Sequence, residues 1–247
     1  MSHTISPPLQ TQGLTRRFGD DTAVQRLDLD VREGEIHAVV GLNGAGKTTL
    51  MRLLLGMLKP DSGRALVEGF EAVGAPATVW ARVGHLIETP FAYPELTVRE
   101  NLTAAALLHG LDHGIGSRIA ETIELFGLER WSDRRAGHLS QGNRQRLGIA
   151  SATVHDPSIL VLDEPANALD PAGVVFMREF LVRSAALGSA VLVSSHHLDE
   201  LARIADRITV LHRGRLVGNL DPAGVDLEKR FFDLVYEADL DAERRAG

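Results

Sequence analysis

The segment that most constrains this chain runs from Ile36 to Leu58, where a compact β-branched run meets a glycine-rich loop and then an apolar helical stretch, Thr48 to Leu58. The loop, Gly41-Leu42-Asn43-Gly44-Ala45-Gly46-Lys47-Thr48, fits the pattern G-x-x-x-x-G-K-[ST] with the strand before it and the helix after it. Glycines let the backbone curl with its N–H groups turned inward, and a helix start adds a positive dipole end, so the segment suits phosphate. Lys47 is placed to reach the β- and γ-phosphates, Thr48 to ligate magnesium and Thr49 to assist at the α-phosphate. A chance glycine turn is the competing reading, and the flanking strand and helix count against it.

A strand followed at once by a helix predicts a mixed α/β fold, and the rest of the chain agrees. Residues 10 to 36 read as short strands around a turn at Gly19 to Asp21. After the turn chemistry of Lys59 to Gly63, a second strand pair is expected at Arg64 to Glu68 and Val83 to Ile87. From about Pro90 the strand-like runs stop. Thr97 to Leu108 and Ser117 to Phe126 have helical spacing, and Thr97 with Glu100 forms a capping-box start. Strands return at Ile159 to Leu162, Ala190 to Ser194 and Ile208 to Leu211, while Leu181 to Ser195 reads as helix, turn and strand. Phe231, Phe232 and Leu234 suggest a short packed element before a charged tail.

Composition removes several alternatives. The 247 residues include no cysteine, which excludes disulfides, thiolate catalysis and cysteine-ligated metals. A net charge of −7 argues against a general basic surface for nucleic acid. Met1 to Gln12 lacks a signal-peptide pattern, and no stretch matches an uncharged membrane span. The expectation is a cytosolic chain whose membrane association comes through a partner.

Ile159-Leu-Val-Leu-Asp163-Glu164-Pro165 is an apolar strand ending in two carboxylates. Alone it could also be a strand with a solvated acidic end, the less favoured reading. Beside a phosphate loop, Asp163 suits magnesium held through water, and Glu164 suits a base that activates water at the γ-phosphate. Successive strand residues point in opposite directions, which allows the two carboxylates separate roles.

Leu139-Ser140-Gln141-Gly142-Asn143-Arg-Gln-Arg146 opens a helix between the phosphate loop and the Asp163 strand. Ser140 is a good helix cap, and Gly142 leaves amides open for a second phosphate surface; a simple capping serine is the plainer alternative. Loop, acidic strand and this segment together resemble the ATP-binding subunits of ABC transporters, whose usual signature is Leu-Ser-Gly-Gly-Gln. The resemblance runs from about Leu14 to Val217. It implies a P-loop ABC ATPase core with an N-terminal antiparallel β-subdomain and an inserted helical subdomain. The domain would span 1–220, with the helical insertion at about 90–152 and a short C-terminal extension at 221–247.

The resemblance also implies the remaining roles. Phe18 matches the aromatic that stacks on adenine, although a core phenylalanine is the alternative. Asn167-Ala168-Leu169-Asp170 matches the D-loop at the dimer interface, and His196 matches the switch histidine at the γ-phosphate. ATP and Mg²⁺ are the implied cofactors, with a homodimer when ATP is bound. Integral membrane permease subunits are the implied partners, and the implied location is the cytoplasmic face of the membrane. Gln141 and Asn143 depart from the usual signature, and Glu88 stands where the family normally has a glutamine that ligates magnesium and links to the permease; a glutamate there can still ligate magnesium but adds a negative charge. Glu88-Thr-Pro with the segment after it resembles the bacitracin and lantibiotic self-protection ATPases and related drug exporters. An importer subunit, a non-transport ABC ATPase and a non-hydrolysing regulatory module are the rival readings.

Overall fold

The computed structural model describes residues 6–90 and 92–246. The first and last residues of the expected domains, and Phe91 at the start of the helical insertion, lie outside the described residues. The chain begins with a hairpin, β1 (Leu9–Phe18) and β2 (Asp21–Val31), followed by β3 (Ile36–Val40) and helix α1 (Lys47–Leu54). Strands β4 (Ser62–Val67) and β5 (Phe70–Glu71), the one-turn helix α2 (Ala77–Trp80) and β6 (Val83–Leu86) come next. Helices α3 (Val98–Leu108), α4 (Ile115–Leu125) and α5 (Gln141–Thr153) form a purely helical stretch. The chain then alternates through β7 (Ile159–Asp163), α6 (Pro171–Ala186), β8 (Ala190–Ser195) and α7 (Leu198–Ala202). It closes with β9 (Arg207–His212), β10 (Arg215–Leu220) and α8 (Leu227–Ala246).

Two sheets result. The antiparallel sheet has the order β2-β1-β4-β5, and the larger sheet has the order β10-β9-β3-β8-β7-β6, parallel except for β10. Alternation along its strands splits the apolar residues between two cores. Val39, Val161 and Leu192 face α1 and the antiparallel sheet, while Ala38, Val40, Leu160, Leu162 and Val193 face the helical side. Both faces of the larger sheet are therefore covered, which is why its strands read as unbroken apolar runs.

Several expectations need correction. The segments Arg64 to Glu68 and Val83 to Ile87 do not pair: β4 joins β1 in the antiparallel sheet, and β6 joins β7 at the edge of the other. Helix α1 stops at Leu54, short of Leu58, because Gly56 turns left-handed (φ 66°) with the Ala72 carbonyl packed against it. The C-terminal residues make no loose tail, because α8 continues through the charged residues to Ala246. It is pinned to the sheet by Phe231, Val235 and a 2.8 Å bond between His212 Nε2 and Asp239.

One buried and one half-buried histidine make the fold acid-sensitive. The His37 ring on β3 lies 2.9 Å from the Asp30 carbonyl and 2.8 Å from Thr209 Oγ1, and burial pushes its pKa down to about 4. His155 stacks on His109 with centroids 3.6 Å apart. Burial, then the neighbouring His109, pushes His155 down to about 3. In the unfolded chain both titrate near about 6.5, so below that pH the unfolded state binds more protons. Their contribution to stability is present above about pH 6.5 and drains as pH falls toward the folded values. We expect the unfolding temperature to drop between about pH 6.5 and 4.5, and less steeply in His155→Phe, which keeps a stacked ring without the proton site. Equal slopes in thermal scans of the two proteins would disprove this role for His155.

Candidate functional site

The phosphate loop, the acidic pair and the loop after β8 all lie at one end of the larger sheet. Strands β3, β7 and β8 are parallel, so their C-terminal ends meet, and β3 lies between β8 and β9, where the order of connections reverses. Ligands of open α/β sheets bind at such a place.

Gly46 takes φ 107°, and a Cβ there would stand 2.3 Å from the Ala23 carbonyl oxygen, so only glycine lets the loop curl this tightly. Helix α1 starts at Lys47 with its first amides free of intrahelical acceptors. Lys47 is buried; its Nζ donates to the Gly41 carbonyl at 2.7 Å and lies 3.5 Å from Glu164 Oε1. Leu42, Asn43 and Gly44 line the exposed rim, Ala45 is buried beneath it, and Thr49 is half-buried on α1.

Asp163 is 3% exposed, and its charge is satisfied from two directions. Thr48 Oγ1 donates to Oδ2 at 2.6 Å, and Ser194 Oγ donates to Oδ1 at 2.5 Å. A hydroxyl and a carboxylate in direct contact fit magnesium, which takes oxygen ligands and keeps much of its shell in water and phosphate. Among the described residues no group of three or more His, Cys, Asp or Glu is arranged to hold a metal ion.

Glu164 lies in the left-handed region (φ 50°), where its amide donates to Ser194 Oγ at 3.0 Å. Its Oε2 lies 2.8 Å from His196 Nδ1 and accepts from the His196 amide at 3.3 Å. Lysine and histidine thus meet around one carboxylate. Phe18 ends β1 about half exposed, with the Arg16 guanidinium 4.9 Å from its ring centroid, so it is a surface aromatic rather than a core one.

Glu88 follows β6 in the left-handed region (φ 60°) and accepts from Arg52 at 2.5 Å. Its carboxylate is thus engaged by α1 rather than by the Thr48–Asp163 pair. Beyond it opens a groove of about 530 Å³ whose lining includes Thr89, Pro90, Gln141, Arg144, Asn167 and Ala168.

Ser140 caps α5 by accepting from the Asn143 amide at 3.3 Å, with Leu139 buried before it and Gln141 exposed after it. A Cβ on Gly142 would stand 2.9 Å from the Ala168 carbonyl oxygen, so this glycine lets α5 touch the segment Asn167 to Asp170. Asp170 caps α6 by accepting from the Gly173 amide at 2.8 Å, beside which Leu169 packs on the helical-side core. The Gly173 amide, then Arg146, holds the Asp170 carboxyl below its ordinary pKa.

Residues 24–167 match the ABC transporter family model. The chain belongs to that family. It is an ABC ATP-binding subunit and an ATPase, with the P-loop ABC fold. The bacitracin transport ATP-binding protein BcrA of Bacillus licheniformis is 38% identical over 215 residues, covering 86% of this chain and 69% of that protein. Nod factor export ATP-binding protein I of Burkholderia orbicola is 35% identical over 216 residues, covering 87% of this chain and 71% of the relative. A solved ATP-binding subunit of an ABC transporter superposes with a TM-score of 0.81 at 30% identity, covering 92% of this chain and 94% of the other. Among the described residues no helix of the ABC subunit is long and apolar enough to cross a membrane.

Sequence reasoning missed the supporting groups of this ABC site. Ser194 is fully buried, and its one hydroxyl serves both Asp163 and the Glu164 amide. Only the register that sets Asp163 beside Ser194 could have exposed it. Gln145 Nε2 donates to the Pro165 carbonyl at 2.9 Å, and Arg146 to Asp170 at 3.1 Å, tying α5 to the turn after β7. We expect Ser194→Ala to cost about 1–2 kcal/mol of stability and to lower ATPase turnover at saturating ATP by more than about tenfold. Ser194→Thr, which keeps the hydroxyl, should recover most of that turnover. Unchanged turnover in Ser194→Ala would show that Asp163 and Glu164 need no help from β8.

Proposed function

We propose that two copies of this subunit close head-to-tail over two ATP molecules and so drive a separate membrane permease that exports a drug or antimicrobial peptide. The observation that carries the ATPase half is Glu164 held between Lys47 and His196 at the mouth of the phosphate loop. Export rests on the relatives, one named for bacitracin transport and one for Nod factor export, and on the Glu88-Thr-Pro segment, which resembles the bacitracin and drug-export branch.

In this reading residues 1–220 form the ATPase domain, with the helical insertion at about 90–152 and residues 221–247 as an extension. Phe18 stacks on adenine, and Gly41 to Thr49 hold the phosphates. Lys47 exchanges its neutral partner, the Gly41 carbonyl, for phosphate oxygens, because a charged acceptor makes the stronger bond. Thr48, Glu88 and, through water, Asp163 would hold magnesium, which supplies neutralisation of the β- and γ-phosphate oxygens when bound. Glu164 takes the proton from the attacking water, and His196 orients that carboxylate and contacts the γ-phosphate.

Leu139 to Asn143 of one copy present α5 amides to the nucleotide of the other, and Asn167 to Asp170 cross between the copies. Because Gly142, Gln145 and Arg146 tie α5 to the turn after Glu164, the change at the γ-phosphate reaches the helical layer as one movement. The groove beside Glu88 receives the permease, which holds this protein at the cytoplasmic face of the membrane. Glu164→Gln should keep ATP affinity, lower turnover by about 10²–10⁴ and accumulate an ATP-bound dimer on size exclusion. Normal turnover in that variant would remove Glu164 as the base, and a persistent monomer with ATP would remove the dimer.

A further inference from the structure

Helix α1 makes two contacts across the sheet edge from one face. Thr48 and Arg52 are four residues apart, so they project to the same side about one turn from each other. Thr48 reaches Asp163, and Arg52 reaches Glu88.

The register of β6 with β7 sets Leu86 beside Leu162. Glu88, two residues past Leu86, and Glu164, two residues past Leu162, therefore both follow the C-terminal ends of adjacent strands. The phosphate-binding end of the sheet thus carries three carboxylates, Asp163, Glu164 and Glu88. Asp163 is balanced by two hydroxyl donors and Glu164 by Lys47 and His196. Glu88 has the Arg52 guanidinium. Both members of that pair are substantially exposed, and exposed pairs add little to folding stability. The left-handed backbone at Glu88 nevertheless shows that this residue is held in a particular place.

We propose that Arg52 is a positioning residue for Glu88: it supplies the counter-charge that lets a third carboxylate stand beside bound phosphates. It also holds that carboxylate one helical turn back from the Thr48–Asp163 pair until metal and nucleotide compete for it. The inference rests on the reading of Glu88 as a metal-facing group. Without Arg52, the Glu88 charge acts on the phosphates directly when no metal is present, and turns to the metal when there is one.

The test is equilibrium binding of a fluorescent ATP analogue to the full chain, once with Mg²⁺ and once with EDTA. Arg52→Gln should weaken binding in EDTA by roughly three- to tenfold and in Mg²⁺ by clearly less, so that the gain from Mg²⁺ grows. Arg52→Lys, which keeps the charge, should stay near the parent. In a Glu88→Gln background, Arg52→Gln should add no further change. Equal weakening with and without Mg²⁺, or the same loss in the Glu88→Gln background, would overturn the positioning role. If Glu88→Gln alone leaves the gain from Mg²⁺ unchanged, the metal-facing reading of Glu88 fails. If Glu88→Gln alters that gain and Arg52→Gln does not, only the role of Arg52 fails. Unfolding temperatures of all four variants should stay close to the parent, which separates positioning from loss of fold.

Discussion

Asp163 is the interaction on which the site depends. A carboxylate this deeply buried is tolerated only because its oxygens are matched by donors, and the donors come from two other elements, Thr48 on α1 and Ser194 on β8. Those two bonds tie the helix after the phosphate loop, the acidic strand and the strand leading to His196 into one unit. Removing either hydroxyl leaves an under-satisfied buried charge, so position and stability are enforced by the same contacts. Glu164 extends the unit outward, its amide fixed on Ser194 and its side chain left to meet Lys47 and His196.

A second linkage runs from this unit to the helices. Gln145 and Arg146, one after the other on α5, reach the Pro165 carbonyl and Asp170 on either side of the segment Asn167 to Leu169. Gly142 closes the same contact by leaving no Cβ where the Ala168 carbonyl sits. The start of α5 therefore cannot shift far without the turn after Glu164. A helical layer built this way follows the nucleotide end of the sheet through three neighbouring contacts, with no long chain of intermediaries.

What was legible in the sequence was local. The phosphate loop, the Thr97 capping box and the Ser140 cap depend on residues a few positions apart, and their chemistry can be read from identity and spacing. What stayed hidden depends on which strands lie side by side. Nothing within Arg64 to Glu68 shows that its partner is β1 rather than β6, since either pairing buries its apolar residues. Strand β10 went unread because Gly218 and Asn219 break the alternation and half of it is solvated. The full length of α8 was hidden because its second half is held by Asp239 and by charged helix-forming residues, not by an apolar stripe. Ser194 and Arg52 carry no motif at all, and only the register between strands and the turn of α1 gives them partners.

The same geometry explains why charge is handled one group at a time at this end of the sheet. Asp163 is buried and answered by neutral hydroxyls, which leaves its negative charge uncancelled for a divalent ion to use. Glu164 is answered by a lysine 3.5 Å away and a histidine 2.8 Å away, partners that a phosphate can draw toward itself, freeing the carboxylate as it does so. Glu88 is answered by an arginine whose bond is exposed enough to break. Three carboxylates of one chemical type are thereby set apart by their burial and their partners. Burial fixes the first, exchange governs the second, and a solvent-accessible ion pair keeps the third in reserve at the edge of the groove.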